Sequence, residues 1–333
     1  MKKLLLFLLL AAGLFIFPLR ILSLPDDWTL AAKHRLRDAV SAQSGTTAVR
    51  IPKSYIDDIK LGMSKQEVDH LLGPPKDQLR NQYQNNWNVY HDHYRHFILV
   101  NYTAQRVTGI YTVAGPFTSD KQVSYGMTEN SVRQRLGAPL EVIEGPRYRL
   151  ELDDPHMLTY LTDGVYYTYY FDQHEDDKLV GMKVTAQSLE NRKPQLYASP
   201  SPELAAAYEK LDYHLINADR VKHGLPPVSY HDRMSHTAVE HSIDMAEHHF
   251  FSHTNKQGLD PFDRMQRAGF DYIFAGENLA YGQLSPIEAH HGLMNSLGHR
   301  KNILNVIFKE VGIGVAFDDK NIPFYTEDYI TEN

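Results

Sequence analysis

Apolar residues are spaced along this chain in three distinct ways, and each way marks a different kind of segment. Met1, Lys2 and Lys3 precede an apolar run from Leu4 to Leu19; Arg20 interrupts it and Ile21 to Leu24 follow. Extended through Leu24, with the Arg20 side chain reaching to the interface, the run suffices for a membrane-spanning helix of about 20 residues. The two lysines direct the rest of the chain outward. Residues 1–24 therefore read as a membrane anchor, or alternatively as a signal peptide cleaved after export. Residues 25–50 are polar, with a Ser/Gly/Thr stretch at Ser41 to Thr47, and read as a stalk.

Between residues 51 and 190 the pattern repeats itself. Gly62-Met63-Ser64 is followed by Val68, Leu72, Gly73 and Pro75; Gly126-Met127-Thr128 is followed by Val132, Leu136, Gly137 and Pro139, each pair offset by the same 64 residues. A fixed offset of this kind marks an internal duplication, here over about 59–115 and 123–187. Ser64 and Thr128 are N-cap residues, Ser64 with Glu67 forms a capping box, and the i, i+4 apolar pairs give each short helix one buried face. Glycine then proline end both helices. Period-2 runs follow: Trp87–Tyr90, Phe97–Tyr102 and Val107–Thr112 in the first unit, Arg149–Leu152, Val165–Phe171 and Leu179–Val184 in the second. Each unit is expected to be a helix with its own small antiparallel sheet. Tyr166, Tyr167, Tyr169 and Tyr170 should form a tyrosine-rich strand surface, suited to a partner or glycan if exposed.

Pro194, Pro200 and Pro202, with Ser199 and Ser201, mark a linker over 191–203. From residue 204 to 333 the pattern turns helical. Leu204, Tyr208, Leu211 and Leu215 fall on one helix face, and Met234, Ala238, His241 and Met245 on another, over about Asp232 to His249.

Composition changes this picture in two respects. The 333 residues are 42% hydrophobic and carry a net charge of −7, with both signs interspersed, which argues against a nucleic-acid partner. Cysteine is absent, so disulfides and thiolate chemistry are excluded, and the 18 histidines are the soft-metal ligands available.

The order of short motifs in the C-terminal region resembles the CAP superfamily, that of the cysteine-rich secretory proteins, antigen 5 and plant pathogenesis-related proteins. Phe251-Ser252-His253 ends the second helix as the family's "FSH" does; Gly276-Glu277-Asn278-Leu279-Ala280 is similar to "GENLA", and Asn295-Ser296-Leu297-Gly298-His299-Arg300 to "NSPGHR". Gly312-Ile313-Gly314-Val315-Ala316 matches "GIGVA", and Phe324-Tyr325-Thr326-Glu327-Asp328 resembles the last strand. The repeats resemble the region that precedes such domains in some bacterial proteins. The resemblance implies an α+β chain ending in an α-β-α sandwich whose cleft is lined by His253, Glu277 and His299, with Asn278, Arg300 and Glu327 in support. Ser296 stands where many members have a second glutamate, and Glu327 is the acid available to replace it.

Two imidazoles and a carboxylate could hold Zn²⁺ with an open water position, or brace the loops through hydrogen bonds. The first reading gives a metal-dependent hydrolase of peptide or cell-wall material. The second gives a non-enzymatic module displayed outside the cytoplasm for an envelope protein, glycan or lipid. His248, His249, His290 and His291 should be solvated, His241 should be a core histidine, and Ser252 beside His253 does not make a nucleophile triad.

Overall fold

The computed structural model describes residues 58–113 and 115–333. The expected anchor and stalk lie outside them, and no helix among the described residues is long and apolar enough to cross a membrane.

The two repeats build the same unit. Helix α1 (Lys65–Leu72) leads into strands β1 (Asp77–Arg80), β2 (Asn86–Asp92), β3 (Arg95–Thr103) and β4 (Arg106–Thr112). Helix α2 (Glu129–Leu136) leads into a small hairpin, β5 (Val142–Glu144) with β6 (Arg149–Glu151), and then into β7 (Met157–Thr162), β8 (Val165–Asp172) and β9 (Lys178–Ala186). Both helices are capped as the sequence requires. The Ser64 side chain accepts from Glu67 N while Glu67 reaches back to Ser64 N, Thr128 accepts from Ser131 N, and Gly73 and Gly137 close the helices at φ 75° and 83°. Each start is pinned to the last strand of its own unit by matching bonds: Gly62 N donates to Val107 O and Val107 N to Met63 O, as Gly126 N does to Leu179 O and Leu179 N to Met127 O. Ser64→Ala removes one N-cap acceptor and is expected to lower the free energy of unfolding by about 1 kcal/mol, measured by urea titration. An unchanged midpoint would mean that the pinning bonds alone hold this helix start.

The units do not keep separate sheets. β4 pairs antiparallel with β9, Ile110 opposite Val184, giving one seven-stranded sheet in the order β1-β2-β3-β4-β9-β8-β7. One face packs Val68 and Val132 of the two helices over Ile98, Ile110, Tyr169 and Met182. The other face carries Trp87, Leu99, Tyr111 and Tyr170. Both faces are covered, so Tyr166, Tyr167, Tyr169 and Tyr170 are all buried. The expected tyrosine-rich surface is absent because alternation sends these rings into two cores rather than into one core and water.

A short helix, α3 (Gln187–Glu190), and the proline-rich segment lead to α4 (Pro202–Lys222), capped by Ser201. Strand β10 (Ser229–Tyr230), α5 (Asp232–His248), α6 (Pro261–Arg267), β11 (Tyr272–Tyr281), α7 (Pro286–Asn295), α8 (Leu297–Ile303), β12 (Glu310–Phe317) and β13 (Pro323–Glu332) follow. The strands form a second sheet in the order β10-β12-β13-β11. α5 lies directly on β12: a Cβ on Gly312 would sit 2.4 Å from Met234 C, and one on Gly314 2.1 Å from Val239 N. Glycine at alternate positions of β12 is what lets the helix come that close. With α5 and α6 on one face and α4, α7 and α8 on the other, this is the expected α-β-α sandwich.

α4 is shared between the two sheets. Ala207, Leu211, Leu215 and Ala218 enter the core of the first, and Leu204, Tyr208 and Ile216 that of the second. The four residues placed on one face by their spacing therefore divide two and two, as in a helix buried all round. α7 lies in the same layer, with Ile287 against the first sheet and Leu293 against the second. This overturns the expectation for two histidines. His290 and His291 are buried, His290 Nε2 2.7 Å from Asp219 Oδ2 and His291 Nε2 3.0 Å from the Tyr111 hydroxyl, its ring stacked on Tyr170. His241 is a core histidine, bonded through Nε2 to Ser252 O at 3.0 Å.

Candidate functional site

β11 and β13 pair so that Glu277 stands opposite Asp328 and Asn278 opposite Glu327. Side chains alternate along a strand, so the two cross-strand pairs point to opposite faces of the sheet. Glu277 and Asp328 point toward α5 and α6. Asn278 and Glu327 point toward α4 and α8.

On the first face Glu277 is almost sealed from water, its side chain 1% exposed. His253 Nδ1, from the loop after α5, lies 2.7 Å from Glu277 Oε1. Arg264, on α6, makes an ion pair with Glu277 Oε2 and donates from Nη1 to His253 O at 2.7 Å and Leu259 O at 3.2 Å. Burial alone would raise Glu277; the bond to His253 and the charge of Arg264 outweigh it and hold the carboxyl below its ordinary range. Asp328 takes the opposite course. Burial, then the adjacent Glu277 charge, push it well above the ordinary value.

On the second face Asn278 is the hub. Its Nδ2 donates to Glu327 Oε2 at 2.8 Å and to His299 O at 3.2 Å, and its Oδ1 accepts from Asn302 Nδ2 at 2.9 Å. The Tyr329 hydroxyl donates to Glu327 Oε2 at 2.6 Å. Behind Glu327 stands Asp212 of α4. Burial and the Glu327 charge push Asp212 well above its usual value, and Glu327 is raised as well, mainly by burial. The expected replacement acid thus belongs to a second buried carboxyl pair and does not join Glu277.

His299, on α8, is buried, and both its ring nitrogens lack a protein partner. Burial, with the nearby charge of His253, lowers it to about 4. Of the three expected cleft residues, the fold joins His253 to Glu277 by a hydrogen bond and sets His299 nearby without one to either. Both oxygens of Glu277 are engaged by protein, so as folded the set does not fit a three-ligand zinc centre. Ser252 accepts from Thr254 N at 3.1 Å within its own turn. Among the described residues, two other groups bring three ligand atoms within 4.8 Å of one another, His231 with Glu310 and Glu332, and His249 with Asp318 and Asp319. In the first, His231 Nδ1 accepts from Met234 N, so in the neutral ring the proton sits on Nε2, the nitrogen facing Glu332.

Arg300 lies elsewhere, at the joint between the two regions. It donates from Nη1 to Asp172 Oδ2 at 2.6 Å, and its Nη2 lies 3.5 Å from Glu175 Oε1. Asp172 is the last residue of β8 in the N-terminal sheet, and Glu175 follows it. The residues that sequence reasoning missed are Arg264, Asp328, Asp212 and Asn302. Asn302 and Asp328 stand inside the Gly298-His299-Arg300-Lys301-Asn302 and Phe324-Tyr325-Thr326-Glu327-Asp328 motifs, with no signal of their part in the site. Arg264 is on a seven-residue helix announced only by Asp260 and Pro261.

Residues 61–196 match the CAP-associated N-terminal family, and residues 213–329 match the cysteine-rich secretory protein family. The chain belongs to the CAP superfamily. It carries the CAP-associated region ahead of the CAP domain, as the motifs implied. It is 43% identical over 114 residues to the uncharacterized protein YkwD of Bacillus subtilis, covering 34% of this chain and 44% of that one. The chain thus spans less than half the length of that relative. It is 27% identical over 343 residues to the uncharacterized membrane protein YlbC of the same species, 97% of this chain and 96% of YlbC. Two solved structures share the fold. An extracellular protein containing an SCP domain from Bacillus anthracis has a TM-score of 0.71 at 22% identity, over 87% of this chain and 99% of that one. A cysteine-rich secretory protein from Staphylococcus aureus has 0.65 at 16%, over 81% and 91%.

Proposed function

We propose that this CAP protein is a non-enzymatic binding module, tethered outside the cytoplasm by its N-terminal apolar segment and directed at a component of the cell envelope. The observation that carries this reading is the state of Glu277. A carboxylate that must serve as metal ligand or general base needs a free oxygen facing substrate or water. Glu277 spends one oxygen on Arg264 and the other on His253, and its own side chain is almost sealed from water. Such a cluster ties the loop after α5, helix α6 and the edge strand β11 to one another. The extracytoplasmic placement rests on the Lys2-Lys3 and apolar N-terminus, and is supported by the likeness to an extracellular and to a membrane protein.

The competing reading is a zinc-dependent hydrolase acting through His253, Glu277 and His299. Titrating Zn²⁺ into the full-length protein by calorimetry, beside His253→Ala, separates the two. The expected result is the same weak, surface-histidine heat for both proteins. One ion bound at about micromolar affinity by the wild type and lost in the variant would overturn the binding-module reading and make hydrolase assays the next step.

A further inference from the structure

The joint between the N-terminal sheet and the CAP domain is not solid. A cavity of about 250 Å³ opens there. Its floor is the second-unit half of the sheet, β7 to β9, and one wall is the β5–β6 hairpin. A second wall is the segment after α3, and its roof is the turn from β11 into α7. Neither region forms it alone.

The lining is unusual for a structural void. Voids left by imperfect packing are apolar and dry, but this one holds two lysine–carboxylate pairs. Lys183 of the sheet pairs with Glu288 of the CAP domain, and Lys193 with Glu190. Tyr170 donates to Glu288 at 3.0 Å, and Tyr148, from the same hairpin, to Glu190 at 2.6 Å. The amide oxygens of Gln82, itself 5% exposed, and of Gln283 are buried without a hydrogen-bond partner. Four tyrosines, Tyr83, Tyr166, Tyr170 and Tyr197, line the same space.

We propose that this cavity binds a small neutral saccharide, one or two sugar units long. The proposal rests on the binding-module reading and names its ligand class. Three features select that class. Unpartnered amide oxygens call for a ligand rich in O–H or N–H donors. Adjacent cation and carboxylate groups offer a donor and an acceptor side by side, matched to neighbouring hydroxyls, while aromatic walls suit the apolar faces of a sugar ring. A fatty acyl chain would leave the amide oxygens unsatisfied and strip water from both ion pairs. A free anion meets five lining carboxylates, Glu151, Asp153, Asp154, Glu190 and Glu288, against two lysines that are already paired.

One position tests the site without disturbing either core. Gly292 lies within α7 at the cavity wall, and a Cβ there would meet only Gln283 Nε2, at 3.9 Å. Gly292 is exposed at the cavity mouth, so Gly292→Met sets a long side chain across that opening while improving the helix. The experiment is calorimetry on the full-length protein in nanodiscs with glucose, N-acetylglucosamine, cellobiose and N,N′-diacetylchitobiose, and with decanoate and trilysine as contrasts.

At least one of the four sugars is expected to bind one to one with Kd below about 1 mM. Gln82→Leu/Gln283→Leu should weaken it by about tenfold or more, and Gly292→Met should abolish it at an unchanged or higher Tm. No binding by any of the four sugars overturns the proposal. So does sugar binding that survives Gly292→Met, or decanoate or trilysine binding that Gly292→Met removes. Retention on isolated cell envelopes keeps this apart from the broader reading. Equal retention of wild type and Gly292→Met removes the saccharide site and leaves the module standing, whereas a wild type that is not retained at all fails both.

Discussion

Arg264→Leu is expected to lower the free energy of unfolding by about 3–5 kcal/mol, the range for a buried ion pair stripped of one partner. The cost comes less from the lost attraction than from what stays behind. Glu277 would keep a charge in a site 1% open to water, with Asp328 beside it and only His253 to balance it. The backbone carbonyls of His253 and Leu259 would lose a donor in the same step. Guanidinium denaturation of the full-length protein measures this, and Arg264→Leu/Glu277→Gln supplies the control. Removing the charge along with its partner is expected to recover most of the loss, because a neutral amide carries no Born penalty. If the single and double variants are equally destabilised, the loss is one of packing around α6, and the electrostatic account of this cluster is wrong.

The second large effect is a dependence on pH. Asp212 and Glu327 face each other in the interior, and both are raised, Asp212 well above its ordinary value. No N–H or O–H of the protein reaches the Asp212 oxygens, so burial beside the Glu327 charge favours a proton on this pair. Above about pH 4 the unfolded chain releases that proton and the folded chain keeps it. The contribution to stability is therefore complete at low pH and drains away as pH rises, by up to about 1.4 kcal/mol per unit while the folded protein holds the proton. Asp212→Asn replaces the shared proton with an amide N–H that does not titrate. The variant's stability relative to wild type is expected to climb between pH 5 and pH 8. Buried His241, His291 and His299, lowered to about 4, 3 and 4 chiefly by burial, act in the opposite sense below pH 6.5. They are common to both proteins and cancel in the difference. Parallel stability curves over that range would rule out the proton-held pair.

What could be read from the residues divides along the line between local and distant interactions. Helix caps are settled within four residues, so Ser64, Thr128, Gly73 and Gly137 behave as their spacing requires. The strands with clear alternation were found within a few residues of their ends. β1, β5 and β7 were not, because Asp77–Arg80 carries one buried residue in four and β5 is three residues long. The pairing of β4 with β9 joins residues 70 or more positions apart, and nothing near either strand signals it. The same distance effect hid the shared layer. α4 and α7 each serve two cores, so a stripe on one face was the wrong template for Leu204 to Leu215, and His290 and His291 were read as solvated. In the candidate site, Glu277 and His253 were legible through motif order. Arg264 was not, because an arginine on a short helix looks like a surface residue until the charges beside it are known, and Asp328, though within the last-strand motif, gives no sign that it faces Glu277.

The joint at β4 and β9 is symmetric. The order β2-β3-β4-β9-β8-β7 reads the same from either end once each strand is replaced by its counterpart in the other repeat. An antiparallel pairing of one strand with its own equivalent is the contact that a two-fold homodimer makes with itself. The sheet thus has, within one chain, the two-fold geometry of such a dimer. That geometry sets both helices on one side and leaves the surface holding Trp87, Leu99 and Tyr111 on the other. In this chain Ala207, Leu211, Leu215 and Ile287 of the CAP domain cover that surface, so the second domain completes a core that the symmetric sheet leaves open.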